Sequence, residues 1–163
     1  MSPLADNPQL VSLVLEGREC RTPAPLNAVG EEMLVKARGL DTGGSFALFH
    51  LTAPPMTRPP LHLHTREDEL WYVLEGKLVF QLADRRIEAD AGTTIFAPRG
   101  TVHAYQNFDQ QAARLLIMVT PAGTDQFFEV LSAGTPEGGL PDFAFIQSLD
   151  AKYGLTTLGP PLR

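Results

Sequence analysis

The chain has 163 residues, 44% hydrophobic and 20% charged, the make-up of one globular domain with its own core, which excludes a disordered tail, a collagen and a coiled coil. Thirteen Lys and Arg against 19 Asp and Glu leave a formal charge of −6, which speaks against nucleic-acid backbones or anionic membranes as partners. Cys20 is the only cysteine, so neither an intrachain disulfide nor a cysteine-built zinc site is available, as fits a reducing interior.

Residues 1–30 read as a loosely patterned arm with Pro3, Pro8, Pro23 and Pro25. Met1–Leu15 has no basic start and no long apolar run, unlike a secretory leader. The apolar run Leu10–Leu15 is expected either to add an edge strand or to pack on a partner subunit. From residue 31 the pattern tightens, and strands are expected near 31–37, 45–52, 70–74, 77–82, 86–88, 94–96, 102–107 and 113–119. Turn signals separate them, among them Pro54-Pro55, Glu75-Gly76-Lys77, Asp90-Ala91-Gly92 and Pro98-Arg99-Gly100. Many short strands with frequent turns indicate an all-β sandwich or barrel over 31–122. The most apolar stretch, Leu115–Val119, is far too short to span a bilayer, so a cytoplasmic chain with no membrane contact is expected.

The last third, 123–163, changes character. Thr124 is placed to cap a helix carrying Phe127, Phe128, Val130 and Leu131, with Gly134 past its end. Asp142 is placed to cap a second, carrying Phe143, Phe145, Ile146 and Leu149, with Gly154 near its stop. Too few residues remain for a separate helical domain, so both are expected to cover the barrel's mouth or flank.

Four histidines occur: His50, His62, His64 and His103. His62 and His64 are one residue apart, and side chains at i and i+2 of a strand share a face. Two such imidazoles can reach one metal ion at about 2.0–2.2 Å. Glu69 opens the next strand, and a turn across Thr65–Asp68 would fold its carboxylate back to the same point. His103 follows a Pro-x-Gly turn, and closure of a barrel would bring it opposite. Three imidazoles and a carboxylate suit Fe, Mn, Co, Ni, Cu or Zn and leave positions open on an octahedral ion.

These residues resemble the two motifs of the cupins. The first, G-x5-H-x-H-x3,4-E-x6-G, is matched by His62, His64, Glu69 and Gly76, with Met56 where the leading glycine belongs. The second, G-x5-P-x-G-x2-H-x3-N, is matched throughout by Gly92, Pro98, Gly100, His103 and Asn107. The turn at Met56 is expected to be handled by the surrounding prolines. The resemblance implies a double-stranded β-helix, the cupin jelly-roll barrel, with one divalent transition metal on His62, His64, Glu69 and His103. The runs around HTREDELWYVLEG, FAPRGTVHAYQN and LLIMVTPAGTDQFFEVL are similar to the single-domain bacterial quercetinase-like cupins. That likeness implies a dioxygenase acting with dioxygen on a small aromatic or enolic substrate, Glu69 serving as base, in a homodimer.

Other residues carry two readings. Phe46, Trp71, Val73, Phe80 and Tyr105 are either plain core or the lining of an apolar substrate pocket. Phe127, Phe128, Phe143 and Phe145 either close its mouth or seal the sheet. Glu67 and Asp68 read as solvated loop charges, Arg66 and Arg99 as surface charges, His50 as structural, and Asn107 as a turn-stabilising hydrogen bonder. A metal-assisted isomerase, cyclase or lyase and a non-catalytic binder are the competing functions. A pocket with additional acids and bases would favour the isomerase, cyclase or lyase.

Overall fold

The computed structural model describes residue 10 and residues 12–160. Among these residues eleven strands and two helices follow in the order β1 (Leu26–Ala28), β2 (Glu31–Ala37), β3 (Ala47–Ala53), β4 (Leu61–His64), β5 (Asp68–Glu75), β6 (Lys77–Leu82), β7 (Arg85–Asp90), β8 (Thr94–Ala97), β9 (His103–Gln106), β10 (Ala113–Thr120), α1 (Thr124–Ala133), α2 (Phe143–Tyr153) and β11 (Leu155–Gly159). The strands form two antiparallel sheets, ordered β1-β2-β3-β10-β5-β8 and β11-β4-β9-β6-β7. This is the double-stranded β-helix of the cupin barrel, all-β apart from the two helices. No helix among the described residues is long and apolar enough to cross a membrane.

The period-2 pattern explains which face is inside. In β3, Ala47, Phe49, Leu51 and Ala53 are buried while the residues between them are less so, and β10 alternates likewise through Ala113, Leu115, Ile117 and Val119. These side chains meet Trp71, Val73, Leu78 and Phe80 from the facing strands in one core. Full burial of a side chain such as Phe49 contributes roughly 1.5–3 kcal/mol. A second, smaller cluster of Phe127, Leu131, Ile146, Leu149, Tyr153 and Leu155 lies beneath the helices.

The boundaries of β2 and β6 coincide with the sequence reading. The helices also follow it closely. Asp142 caps α2 by accepting the Ala144 N–H, and Gly154 ends it in the left-handed conformation. Thr124 is the first residue of α1, with Gly123 at the capping position. Three strands are additional: β1, β4 as a ladder-forming element, and β11, so the sheets reach beyond 31–122 at both ends.

The N-terminal expectation is corrected in part. Residues 12–16 form no strand, and Leu10, Leu13 and Val14 are exposed; Val11 and residues 1–9 lie outside the described residues. The turn at Met56 also differs. The prolines do not relieve it: Met56 itself takes φ 63° in a turn closed by the Thr57 N–H on the Pro54 carbonyl. At Gly76, between β5 and β6, φ is 79° and an added Cβ would sit 3.0 Å from Ala113 Cα, so turn and close packing both require glycine.

Candidate metal centre

Strand β4 is short but fully used. It lies between β11 and β9, with His62 directly opposite His103 and His64 opposite Leu155. Period-2 geometry sends both β4 imidazoles into the barrel, where the His62 and His103 rings stand 4.4 Å apart between centroids. Glu69 comes from the other sheet, held between Val119 of β10 and Ala97 of β8. Three imidazoles from one sheet thus face one carboxylate from the other. Their ligand atoms all lie within 4.8 Å of one another.

The backbone sets the tautomers. His62 Nδ1 is 2.8 Å from the Pro60 carbonyl and His103 Nδ1 is 2.9 Å from the Thr101 carbonyl. A carbonyl only accepts, so both Nδ1 atoms carry the proton and both Nε2 atoms present a lone pair. His64 Nδ1 stands 3.4 Å from Glu67 Oε2 instead. His64 Nε2 and His103 Nε2 each lie 3.1 Å from Glu69 Oε2. Glu69 Oε2 and His103 Nε2 are buried without an aligned hydrogen-bond partner among the described residues. Lone pairs facing each other in a dry interior are unfavourable unless a positive charge lies between them. Donors arranged at about 2.1 Å around one ion would be separated by roughly 3–4.4 Å, so the four residues fit a transition metal.

The titration behaviour has the same origin. Burial, then the neighbouring His103 and His64, push His62 down to about 3. Burial also opposes charge on His64, yet the Glu69 and Glu67 carboxylates outweigh it and raise that imidazole to about 9. Burial works against the Glu69 carboxylate, but the charge on His64 holds it well below the usual carboxylate range. Glu69 is therefore an ionised acceptor at neutral pH.

The cluster borders a narrow cavity of about 60 Å³. His62, His64 and Glu69 are part of its lining, and Met33, Leu51 and Ile117 from the first sheet, with Phe127 and Phe128 from α1, are among its apolar residues. Of the five expected pocket residues only Tyr105 lines it. Trp71, Val73 and Phe80 are core instead. Trp71 packs edge-on beneath the His103 ring at 5.0 Å, and Phe80 stands behind Trp71 and Tyr105. Phe46, just ahead of β3, is half-buried and absent from the lining. Phe145 packs on the helical cluster and Phe143 is exposed.

Two acidic residues depart from the sequence reading, and a third had none. Glu67 is 3% exposed beside His64, drawn inward by the tight turn into β5. Asp68 is partly buried and pairs with the Arg99 side chain and backbone N–H, which holds it below its ordinary range. Glu31, unremarked in the sequence, is buried, lines the cavity and accepts the Tyr105 hydroxyl at 2.5 Å. Its position as the first residue after the Val29-Gly30 turn, on the inward face of β2, was the available signal. His50 lies on the outer side of β3, half-buried, with burial and then Lys36 lowering its pKa. Asn107 is fully buried and donates to the Ala53 and Gln111 carbonyls.

Residues 49–119 match the family described as the cupin domain. That match joins the two motifs, the two sheets and the four-donor cluster. The chain belongs to the cupin superfamily. This cupin is 30% identical to the polyketide cyclase RemF of Streptomyces resistomycificus, with a TM-score of 0.51 over 61% of this chain and 70% of that one. It is 25% identical to a sugar phosphate isomerase of the cupin superfamily from Silicibacter pomeroyi, with a TM-score of 0.52 over 63% of this chain and 68% of that one. It is also 27% identical over 85 residues to an uncharacterized protein of Methanocaldococcus jannaschii, covering 52% of this chain and 68% of the relative.

Proposed function

We propose that this cupin is a metal-dependent enzyme acting on the enolic or phenolic hydroxyl of a small, flat, largely apolar compound, with dioxygenation of the quercetinase type as its reaction. The observation that carries the reading is the meeting of two environments, with His62, His64 and Glu69 walling a cavity otherwise bounded mainly by hydrocarbon and ring surface. A divalent cation held by His62, His64, Glu69 and His103 would supply the charge that acidifies a hydroxyl and favours its encounter with dioxygen. The ionised Glu69 carboxylate takes the hydroxyl proton. Met33, Leu51 and Ile117 hold the flat framework, and Phe127 and Phe128 exclude water from it.

An oxygen-independent isomerisation or cyclisation of a similar compound is the second reading. It is favoured by the extra acid Glu31 and phenol Tyr105 in the cavity and by the 30% identity with a polyketide cyclase. The deciding experiment reconstitutes the chain with each of Fe, Mn, Co, Ni, Cu and Zn and follows quercetin with an oxygen electrode and a carbon monoxide detector. Oxygen uptake with carbon monoxide release supports the first reading; anaerobic conversion of an enolic substrate supports the second. Ligand-induced melting shifts without turnover on a broad panel would mean a non-catalytic binder.

A homodimer is part of the proposal. The outer face of the first sheet carries an apolar row, Leu48–Met118–Leu70–Phe96, across β3, β10, β5 and β8, with Tyr72, Leu74 and Phe96 exposed. A self-complementary apolar face suits a two-fold contact with a second copy. Sedimentation velocity at micromolar concentration tests it, and a monomer rejects it.

A further inference from the structure

The hairpin β1–β2 carries a titratable group that the histidine cluster does not use. Glu31 is 2% exposed. Its Oε2 accepts the Tyr105 hydroxyl, while Oε1 is buried with no hydrogen-bond partner among the described residues. Both residues line the cavity that His62, His64 and Glu69 border. An unpartnered buried polar atom is unfavourable, and native chains rarely keep one without a use for it.

The local backbone is built around this placement. Ala28 and Glu31 pair across a two-residue turn in which Val29 has φ 57° and Gly30 φ 87°, the positive angles of a type I′ hairpin. A β-branched residue is strained there, and Val29 itself lines the cavity. The turn is strapped to the helical layer. Asn27 donates from its backbone N–H to Ser132 Oγ and from Nδ2 to the Gly139 carbonyl, and its Oδ1 accepts the Gly30 N–H. Leu140 closes over the tip, 2.7 Å from where a Cβ on Gly30 would stand.

We infer that Glu31 is a ligand-positioning residue whose free Oε1 hydrogen-bonds an oxygen of the molecule in the cavity, while another oxygen of that molecule faces the cluster of His62, His64, Glu69 and His103. The substrate class is a compound with two oxygen functions on one apolar framework. Burial pushes the Glu31 carboxyl up to about 8, against the Tyr105 hydrogen bond that draws it down, so at neutral pH the group is mainly the neutral acid. A neutral carboxyl has a proton to offer, which selects a carbonyl or ether oxygen as its partner. This rests on the reading of the cavity as a substrate site and adds to it the chemistry of the substrate's second oxygen.

The test compares metal-loaded wild type, Glu31→Gln and the double variant Glu31→Leu/Tyr105→Phe, by metal content, melting temperature and quercetin affinity from the flavonol absorbance change. The double variant is expected to keep its metal, to melt at or above the wild-type temperature, and to bind quercetin about tenfold more weakly, the loss of one buried hydrogen bond. Glu31→Gln, which keeps a donor, is expected to stay within about threefold of wild type by the same estimate. Unchanged affinity in the double variant, a fall in its melting temperature, or loss of its metal overturns the inference. A wild-type chain that takes up no quercetin refutes the flavonol substrate separately. The melting comparison then decides the role of Glu31: a temperature held or raised supports a ligand-directed group, and a lowered one shows a structural pair.

Discussion

Replacing Glu31 by Gln should remove a pH dependence from the stability of this cupin. The folded carboxyl titrates near 8 because it is buried, against an unperturbed value of 4.5. Above pH 4.5 the unfolded chain gives up that proton while the folded chain retains it, so the unfolded state is favoured progressively as pH rises. Stability therefore falls across the window from 4.5 to about 8 and levels off above it. The slope inside the window is ~1.4 kcal/mol per pH unit. Between pH 5 and pH 8, Glu31→Gln should gain about 3 kcal/mol relative to wild type. Tyr105 of β9 is the titratable partner touching Glu31. His62, His64 and Glu69 share the cavity, but they are common to both proteins and cancel in the difference. Urea unfolding of both metal-loaded proteins at pH 5, 6, 7 and 8 reads the effect from the midpoints at constant m. A difference between the two proteins that does not change with pH would refute the argument, because it would mean that the carboxyl is ionised in the folded chain.

Other outcomes follow from the same structure. His62→Ala and His103→Ala should each lose most bound metal by elemental analysis while the circular dichroism of the barrel persists, since the main core contains neither imidazole; unfolding of either variant would make the metal a structural staple. Met56→Gly should raise stability by about 0.5–1 kcal/mol, the relief of left-handed strain less the entropy of an added glycine. Met56 is 55% exposed, so little packing is lost with it, and unchanged or lower stability would contradict the strain. Asn107→Ala should lower stability by about 1–3 kcal/mol, because the Ala53 and Gln111 carbonyls lose a buried donor; chemical denaturation checks it.

The cluster was legible in sequence because each of its members depends on local rules. The His62-x-His64 step needs only strand periodicity, and Glu69 and His103 stand where the cupin motifs place ligands relative to Gly76, Pro98 and Gly100. The helices were legible for the same reason, through Asp142 and the glycines at 134 and 154. What stayed hidden depends on contacts distant in sequence. Strand β11 is recognisable only through its pairing with β4, a partner some ninety residues earlier. Trp71, Val73 and Phe80 share the inward faces that pocket residues would use, and only the depth of the barrel assigns them to the core. Glu67 and Asp68 look alike in sequence, adjacent charges in a polar loop. One turns in beside His64 and the other pairs with Arg99, because neighbouring residues at the start of a strand point to opposite faces. Glu31 is the strongest case. A glutamate opening a strand after a tight turn is ordinarily solvated, and only its phase with Met33 and Val35 on the inward face of β2 marks it as buried. Its burial is imposed by Tyr105 from β9, by Ser132 of α1 and by the Gly139-Leu140 segment closing over the hairpin. The metal donors are thus a local code read on a shared barrel, whereas Phe127, Phe128 and Ile146, and the covering of Glu31, depend on how this chain's own C-terminal segment folds over the cavity. Chains with the same two motifs but different C-terminal segments should therefore share the donor set and differ in what they accept.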